Sequence, residues 1–352
     1  MKKSLIALAV AGVVSAPAFA ATSNVDVYGV MNIAIQDTDA NNSDMQVTDN
    51  FSRIGFKGSE DLGGGLKALW QIESGLGSGS DGVGQVADLA TRNTFVGLAG
   101  GFGTALIGRH DTPYKIATGK YDLFGDTVAD YNLGRLNGVQ AIHNTHDHRS
   151  PNAIAYISPS FSGVTIAAAV VATNAAANLD SGDTMDAISL AAMYANGPLT
   201  VDVAYQDVDA DLTALAGTQD SKGWKIGAGY TFGDAKVGMV YESVDVGTTT
   251  EDRNTIMLIG SYAMGPITLK ATYADISNAD WGITADADQT LWALGADYAL
   301  SKRTTAYVVY GQGDSDKAVG AIALVGGSAT GVLTGSAAGD VSGWNIGVKH
   351  SF

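Results

Sequence analysis

The 352-residue chain contains no cysteine, which removes disulfides as a means of holding it together. Proline is scarce, 6 against 45 glycines, and charged residues make up 16% while hydrophobic ones reach 46%. Beyond the first 20 residues no segment approaches the ~18 consecutive apolar residues of a membrane-spanning helix. The stretch from Ile166 to Ala172 comes nearest and is far too short. A helical inner-membrane protein is thereby excluded. Basic residues are the minority, 20 against 36 acidic ones, for a formal charge of −16.

What is present begins with a separate device. Lys2 and Lys3, the apolar run Leu5 to Val14 and the small-residue site Ala18-Phe19-Ala20 have the layout of a secretory signal peptide. Cleavage after Ala20 is expected. Removing the two lysines takes the charge from −16 to −18. An exported chain without disulfides needs another form of closure, and residues 21–352 are expected to supply it as one domain.

The second half carries a repeat. Tyrosines precede four turn-like sites, Tyr194-Ala-Asn-Gly-Pro, Tyr230-Thr-Phe-Gly-Asp, Tyr262-Ala-Met-Gly-Pro and Tyr298-Ala-Leu-Ser-Lys. Tyr205, Tyr241, Tyr273 and Tyr310 follow at nearly constant distance, as in hairpins with aromatics at matching heights. Reading outward by twos gives an uncharged face that includes Ile188, Leu190, Val203, Trp224, Ile226, Val237, Met239, Ile256, Leu258, Leu269, Leu294 and Val308. The opposite face carries Ser189, Asp202, Lys225, Lys270, Thr272 and Asp297. An Arg or Lys facing lipid at mid-bilayer costs roughly 2–4 kcal/mol, so eight strands free of such charges read as lipid-facing. Tyrosines at both ends of the apolar band match interfacial girdles. A soluble sandwich also alternates, but it gives no reason for tyrosines at fixed heights at both strand ends.

Candidate strands lie near 24–37, 50–59, 66–75, 91–99, 103–110, 152–158, 163–173, 185–195, 199–207, 223–232, 236–246, 253–264, 266–276, 289–299, 303–312 and 341–352. These make an all-β, 16-stranded antiparallel transmembrane barrel. The last segment, "GWNIGVKHSF", alternates Trp344, Ile346, Val348, His350 and Phe352 with Asn345, Gly347, Lys349 and Ser351. A sheet in lipid cannot leave an open edge. An even strand count returns the last strand beside the first, so the two are expected to pair, with no residues left over for a plug.

The stretches "NVDVYGVMNIAI", "SRIGFKGSEDLGGGLKALWQIES", "RNTFVGLAGGFGTALIGRHDTPY" and "NIGVKHSF" resemble the general, non-specific trimeric porins of Gram-negative bacteria, most of all the betaproteobacterial and neisserial branch. The resemblance spans the chain. It implies a homotrimer in the outer membrane, a long third loop folded into the lumen, and Phe352 as a signal to the outer-membrane assembly machinery.

A water-filled channel is selective at its narrowest part. The segment 110–151 is too long for an ordinary loop and is the candidate constriction. It contains Asp122, Asp126 and Asp130. The resemblance places Asp122 and Asp126 opposite a basic wall, at Arg53 and Arg92, with Arg109 and Arg135 as weaker members. Alternation is expected to point Arg53 and Arg92 inward, with Ile54, Phe56, Phe95 and Gly97 toward lipid. At Val30 some relatives carry a lysine, so the positive side is expected to be thinner here. Two blander accounts stay open: Arg53 and Arg92 paired to Glu60 or Glu73 as structural lumen arginines, and Asp122 and Asp126 as solvated loop carboxylates.

Other features carry less. His143, His146, Asp147 and His148 have zinc-type ligand chemistry but no framework to fix them, and no metal site is assigned. The apolar stretch Val319 to Leu333 is expected to pack in the vestibule or form an external hairpin. Asp207, Asp209, Asp211, Glu251 and Asp252 fall in external loops, where Ca2+ or another divalent cation could bind weakly and bridge to lipopolysaccharide. No cofactor and no nucleic acid is expected. The reading is a passive outer-membrane channel for small hydrophilic solutes. The alternatives are a substrate-specific channel, a surface adhesin or an outer-membrane enzyme, and no nucleophile motif supports the last. Net charge suggests a mild cation preference, although the field in the lumen decides it.

Overall fold

One antiparallel sheet closes on itself. The computed structural model describes residues 24–39, 45–76, 89–136, 139–142, 146–171, 187–209, 220–245, 252–277, 287–316, 322–323, 332–333 and 338–352. The strands are β1 (Asn24–Thr38), β2 in two pieces (Gln46–Asp49 and Arg53–Gly63), β3 (Leu66–Gly75), β4 (Thr94–Gly100), β5 (Gly103–Asp111), β6 (Arg149–Ile157), β7 (Val164–Val171) and β8 (Ala187–Asn196). They continue as β9 (Leu199–Val208), β10 (Ser221–Phe232), β11 (Ala235–Asp245), β12 (Arg253–Met264), β13 (Ile267–Ser277), β14 (Gln289–Ala299), β15 (Thr304–Ser315) and β16 (Gly339–Ser351). Both pieces of β2 pair with β1, so the seventeen hydrogen-bonded segments form sixteen barrel strands.

The seam joins β1 to β16, from Val30 opposite Ser351 to Thr38 opposite Gly343. Gly29 and Phe352 exchange both backbone hydrogen bonds at 3.1 Å. A Cβ on Gly29 would collide with the Phe352 ring, so glycine there makes room for the terminal aromatic. In the last external loop, Ile322–Ala323 and Val332–Leu333 pair as a short hairpin of their own, outside the barrel sheet.

The outer face is apolar as the alternation requires. Leu190, Trp224, Met239, Leu258, Leu269 and Leu294 are all exposed on it. Ser189, Asp202 and Lys225 point the other way and are buried. The third loop, 112–148, lies against this inner face. Its Tyr121, Phe124, Val128, Tyr131, Leu136 and Ile142 form one buried cluster with Val240, Met257, Ile259, Ile276, Leu291 and Val309. Those wall residues occupy the side expected to be wet. The loop covers them, and each buried large apolar side chain contributes about 1.5–3 kcal/mol to holding it there.

One register differs from expectation. On β4, Val96 and Leu98 are exposed on the outer face, while Gly97 is buried and Phe95 packs against Leu106, Ala155 and Ala169 inside. Phe95 and Gly97 therefore face the lumen. The cause is a bend: Arg92 and Asn93 precede the strand without joining its ladder, so parity counted from Arg92 through the strand fails.

Candidate functional site

The third loop begins with a helix, α1 (Pro113–Thr118), followed by a 3-10 turn over Gly119–Tyr121. Thr112 caps it, its hydroxyl oxygen accepting from the Lys115 backbone N–H at 3.3 Å, with proline at the start. This cap-and-proline signal is plain in "DTPYKIAT".

Buried charges fasten the loop to the wall. Lys225 on β10 meets Asp147 at 2.8 Å, both side chains having no solvent exposure. The other oxygen of Asp147 accepts from the Tyr131 hydroxyl at 2.9 Å and the Asn132 amide at 2.7 Å. Burial would raise the Asp147 carboxyl, but Lys225 and then Lys115 outweigh it and hold it below the usual carboxylate range. Beside this, the Tyr114 hydroxyl donates to Glu242 at 2.9 Å, Arg253 pairs with Glu242 at 3.1 Å, and the Arg253 guanidinium also donates to the Gln140 carbonyl. Removing one partner of such a pair strands a buried charge, at about 3–5 kcal/mol.

Glycines on the wall receive the loop. Tyr121 lies over Gly227, Phe124 over Gly295 and Leu136 over Gly311 and Gly313, where added Cβ atoms would strike the loop side chains. The Tyr121 hydroxyl donates to Asp202 at 2.7 Å, and Lys120 pairs with the same carboxylate at 2.7 Å.

Asp126 lies where the loop meets the wall, with φ of 62°. Its Oδ2 accepts from Arg53 Nη1 at 3.0 Å and Lys349 Nζ at 3.2 Å. Its carbonyl accepts from Asn32 Nδ2 at 3.0 Å, and its N–H donates to Asp130 at 2.8 Å. Burial alone would raise the Asp126 carboxyl; Arg53 and then Lys349 prevail and lower it. Asp122 has no cation partner within 4.0 Å among the described residues. Burial first, and then Asp130, push it well above the usual carboxylate value. Burial likewise lifts Asp130 to about 6, against the backbone N–H groups of Asp126 and Asn132.

Of the expected site residues, the structure brings Arg53 and Asp126 into contact, and Asp122 stands close behind. Arg92 pairs with Glu73 at 2.5 Å, and Tyr28 donates to the same carboxylate at 2.9 Å. Arg135 belongs to the loop itself, donating to Asn50 at 2.7 Å with its guanidinium 5.0 Å above the Phe51 ring. Arg109 lies opposite Thr94, in the outward register of Ile107 and Val96, and does not join the group. Two wall cations were missed. Lys349 lies on the wet side of the last strand's alternation, which was visible, but its partner is 223 residues away. Arg149 pairs with Asp111 at 3.1 Å and donates to Asn93 at 2.7 Å.

His143 lies outside the described residues. His146 is fully buried, and burial first, then His148 and Lys225, push its imidazole down to about 3, so it is a neutral core side chain. Among the described residues, no group of three His, Cys, Asp or Glu side chains could hold a metal ion.

The pairings give the lumen a sign. Arg53 and Lys349 share one carboxylate, and Lys115 and Lys225 share another. Lys57 and Lys236 have no carboxylate within 4.0 Å among the described residues. Asp122 and Asp130 have no cation within 4.0 Å among the described residues, and the carboxyl values of both are raised. Around Asp126 two cations meet one carboxylate, a local positive excess in an acidic chain.

Comparison with known proteins agrees with this architecture. Residues 7–318 match a family model described as Gram-negative porin. Outer membrane porin protein 32 of Delftia acidovorans is 32% identical over 368 residues, covering 100% of both chains. Major outer membrane protein P.IB of Neisseria gonorrhoeae is 28% identical, covering 88% of this chain and 93% of that one. Among solved structures, an anion-selective porin from Comamonas acidovorans superposes with a TM-score of 0.75 at 26% identity, over 94% of this chain and 100% of that one. The trimer form of OmpT of Vibrio cholerae gives 0.68 at 19% identity, over 94% and 99%, a likeness of fold.

Proposed function

The chain belongs to the Gram-negative porin family and is an outer-membrane diffusion channel rather than an enzyme; from that premise we propose that its constriction is the passage bordered by Asp126 of the third loop and by the wall cations Arg53 and Lys349 that it contacts, and that it favours anions. The carrying observation is that two wall cations converge on one loop carboxylate. One positive charge remains at the narrowest point. Guanidinium and ammonium groups on one side and carboxylates on the other orient dipolar solutes and leave apolar ones to displace ordered water. The mild cation preference suggested by net charge is set aside, because the surplus carboxylates are elsewhere in the chain. The relative described as anion-selective supports this choice. Reversal potentials across a KCl gradient test it: a value toward the chloride equilibrium potential is expected, and one toward potassium would refute it.

Assembly follows the same premise. Three copies form the working unit, residues 1–20 are removed on export, and Phe352 addresses the assembly machinery. The external carboxylates Asp207, Asp209 and Asp252 meet the lipopolysaccharide leaflet, with Ca2+ as a weak bridge to its phosphates. Stepwise conductance increments in threes test the trimer, and single steps would refute it.

A further inference from the structure

We propose that Lys236, on β11, and Lys120, on the third loop, form an oxyanion subsite on the turn side of the constriction, and that Lys236 sets the anion preference more than Arg92 does. The inference rests on the anion-favouring reading of the pore and names a residue for it.

Lys236 follows the short turn after β10 and shares the inward register of Gly238, Val240 and Glu242. Its ammonium donates to the Lys120 carbonyl at 2.9 Å and lies 5.9 Å from the centre of the Tyr121 ring. The Lys120 ammonium lies 5.5 Å from the same ring. Two cations therefore lie within 6 Å of the centre of one aromatic ring, and Asp202 is the carboxylate that Lys120 contacts. That carboxylate is occupied, taking Lys120 at 2.7 Å and the Tyr121 hydroxyl at 2.7 Å. Among the described residues Lys236 meets a neutral carbonyl and a ring, with no carboxylate within 4.0 Å. Lys120 is about a third exposed, so the pair is open to the passage.

Arg92 differs. Its charge is met by Glu73 at 2.5 Å, and a close ion pair presents little net field to a passing ion. An anion leaving Arg53 and Lys349 toward the turn side meets Lys236 and Lys120 with one carboxylate between them, a group with one positive charge in excess. A multiply charged oxyanion such as inorganic phosphate, with several acceptor oxygens for two ammonium groups, would be held longer than chloride.

The test uses the purified full-length channel in planar bilayers, as wild type, Lys236→Gln, Lys236→Arg and the double variant Arg92→Gln/Glu73→Gln. Reversal potentials are read across a KCl gradient, and chloride current is read with and without inorganic phosphate. The expected result is a wild-type preference for chloride that falls about 2- to 5-fold in Lys236→Gln, the effect of one charge at pore distances. It should survive in Lys236→Arg and in the double variant. Phosphate should depress the wild-type current and lose that effect in Lys236→Gln. If wild type favours chloride and Lys236→Gln matches it in both readouts, the subsite is refuted and the anion reading stands. If wild type favours potassium, the anion reading itself is refuted. If Lys236→Arg loses the preference along with Lys236→Gln, a packing role for the lysine replaces the electrostatic one.

Discussion

Arg53 lies opposite Val30 on one flank of β1, Lys349 lies opposite Asn32 on the other, and their side chains meet at a single oxygen of Asp126. The seam of the barrel and the constriction are thus one structure. Val30 carries no charge, and the last strand supplies a cation two residues along, opposite Asn32.

Replacing Asp126 with Asn should release both cations to the passage. The chloride-to-potassium permeability ratio should rise about 2- to 5-fold, the effect of one charge several ångströms from a hydrated ion. Reversal potentials measure it; an unchanged or lowered ratio contradicts the assigned contact.

Breaking the buried fastening should act on motion before selectivity. Lys225→Met leaves Asp147 buried without its ammonium partner and should cost about 3–5 kcal/mol. Much of that cost falls on loop docking, because the barrel ladders do not involve these side chains. Single-channel recordings should show flickering closures absent from wild type. Quiet, full-size steps would mean that the apolar cluster alone positions the loop.

Protons should shift selectivity in one window. Asp130, raised to about 6, is charged at pH 7.5 and neutral at pH 5. A carboxyl with a raised folded value stabilises the docked loop at low pH, and that stability is lost as pH rises through about 6. Asp126, with its value lowered, keeps its ion pair across the same range. Anion preference should therefore grow between pH 7.5 and 5, and Asp130→Asn should abolish the change. A pH response that persists in Asp130→Asn assigns the titration to another group.

At the seam, Gly29→Val should place a branched side chain where the Phe352 ring sits. Folded barrels resist SDS until heated, so the folded fraction on unheated gels reports closure. For purified chain refolded in detergent, where the assembly machinery plays no part, a marked loss is expected, partly recovered by Phe352→Ala in the same chain. Undiminished folding would show that the ring can move aside without cost.

The strands were legible because one face of each must suit lipid, and that demand repeats with period two along Leu190, Trp224, Leu258 and Leu294. The seam was legible because an open edge is forbidden in hydrocarbon. Other features escaped for physical reasons. Val240, Met257 and Leu291 face a loop instead of water, so both faces of their strands are apolar and the inner one gives no polar signal. The bend at Arg92 and Asn93 resets parity, which reversed Phe95 and Gly97. Arg53 and Asp126 could be named from a resemblance, whereas Lys349 and Lys225 take partners 223 and 78 residues away that alternation cannot reveal. Arg135 falls within 110–151, the segment read as the loop, so its place off the wall was legible from the strand bounds although the resemblance grouped it with the wall.

Single-channel conductance of the purified protein as a function of KCl concentration tests the account most directly. A water-filled passage narrowed by the loop predicts ohmic steps whose size rises in proportion to bulk conductivity. Conductance that saturates at modest salt, or no steps at all, would contradict a general diffusion channel.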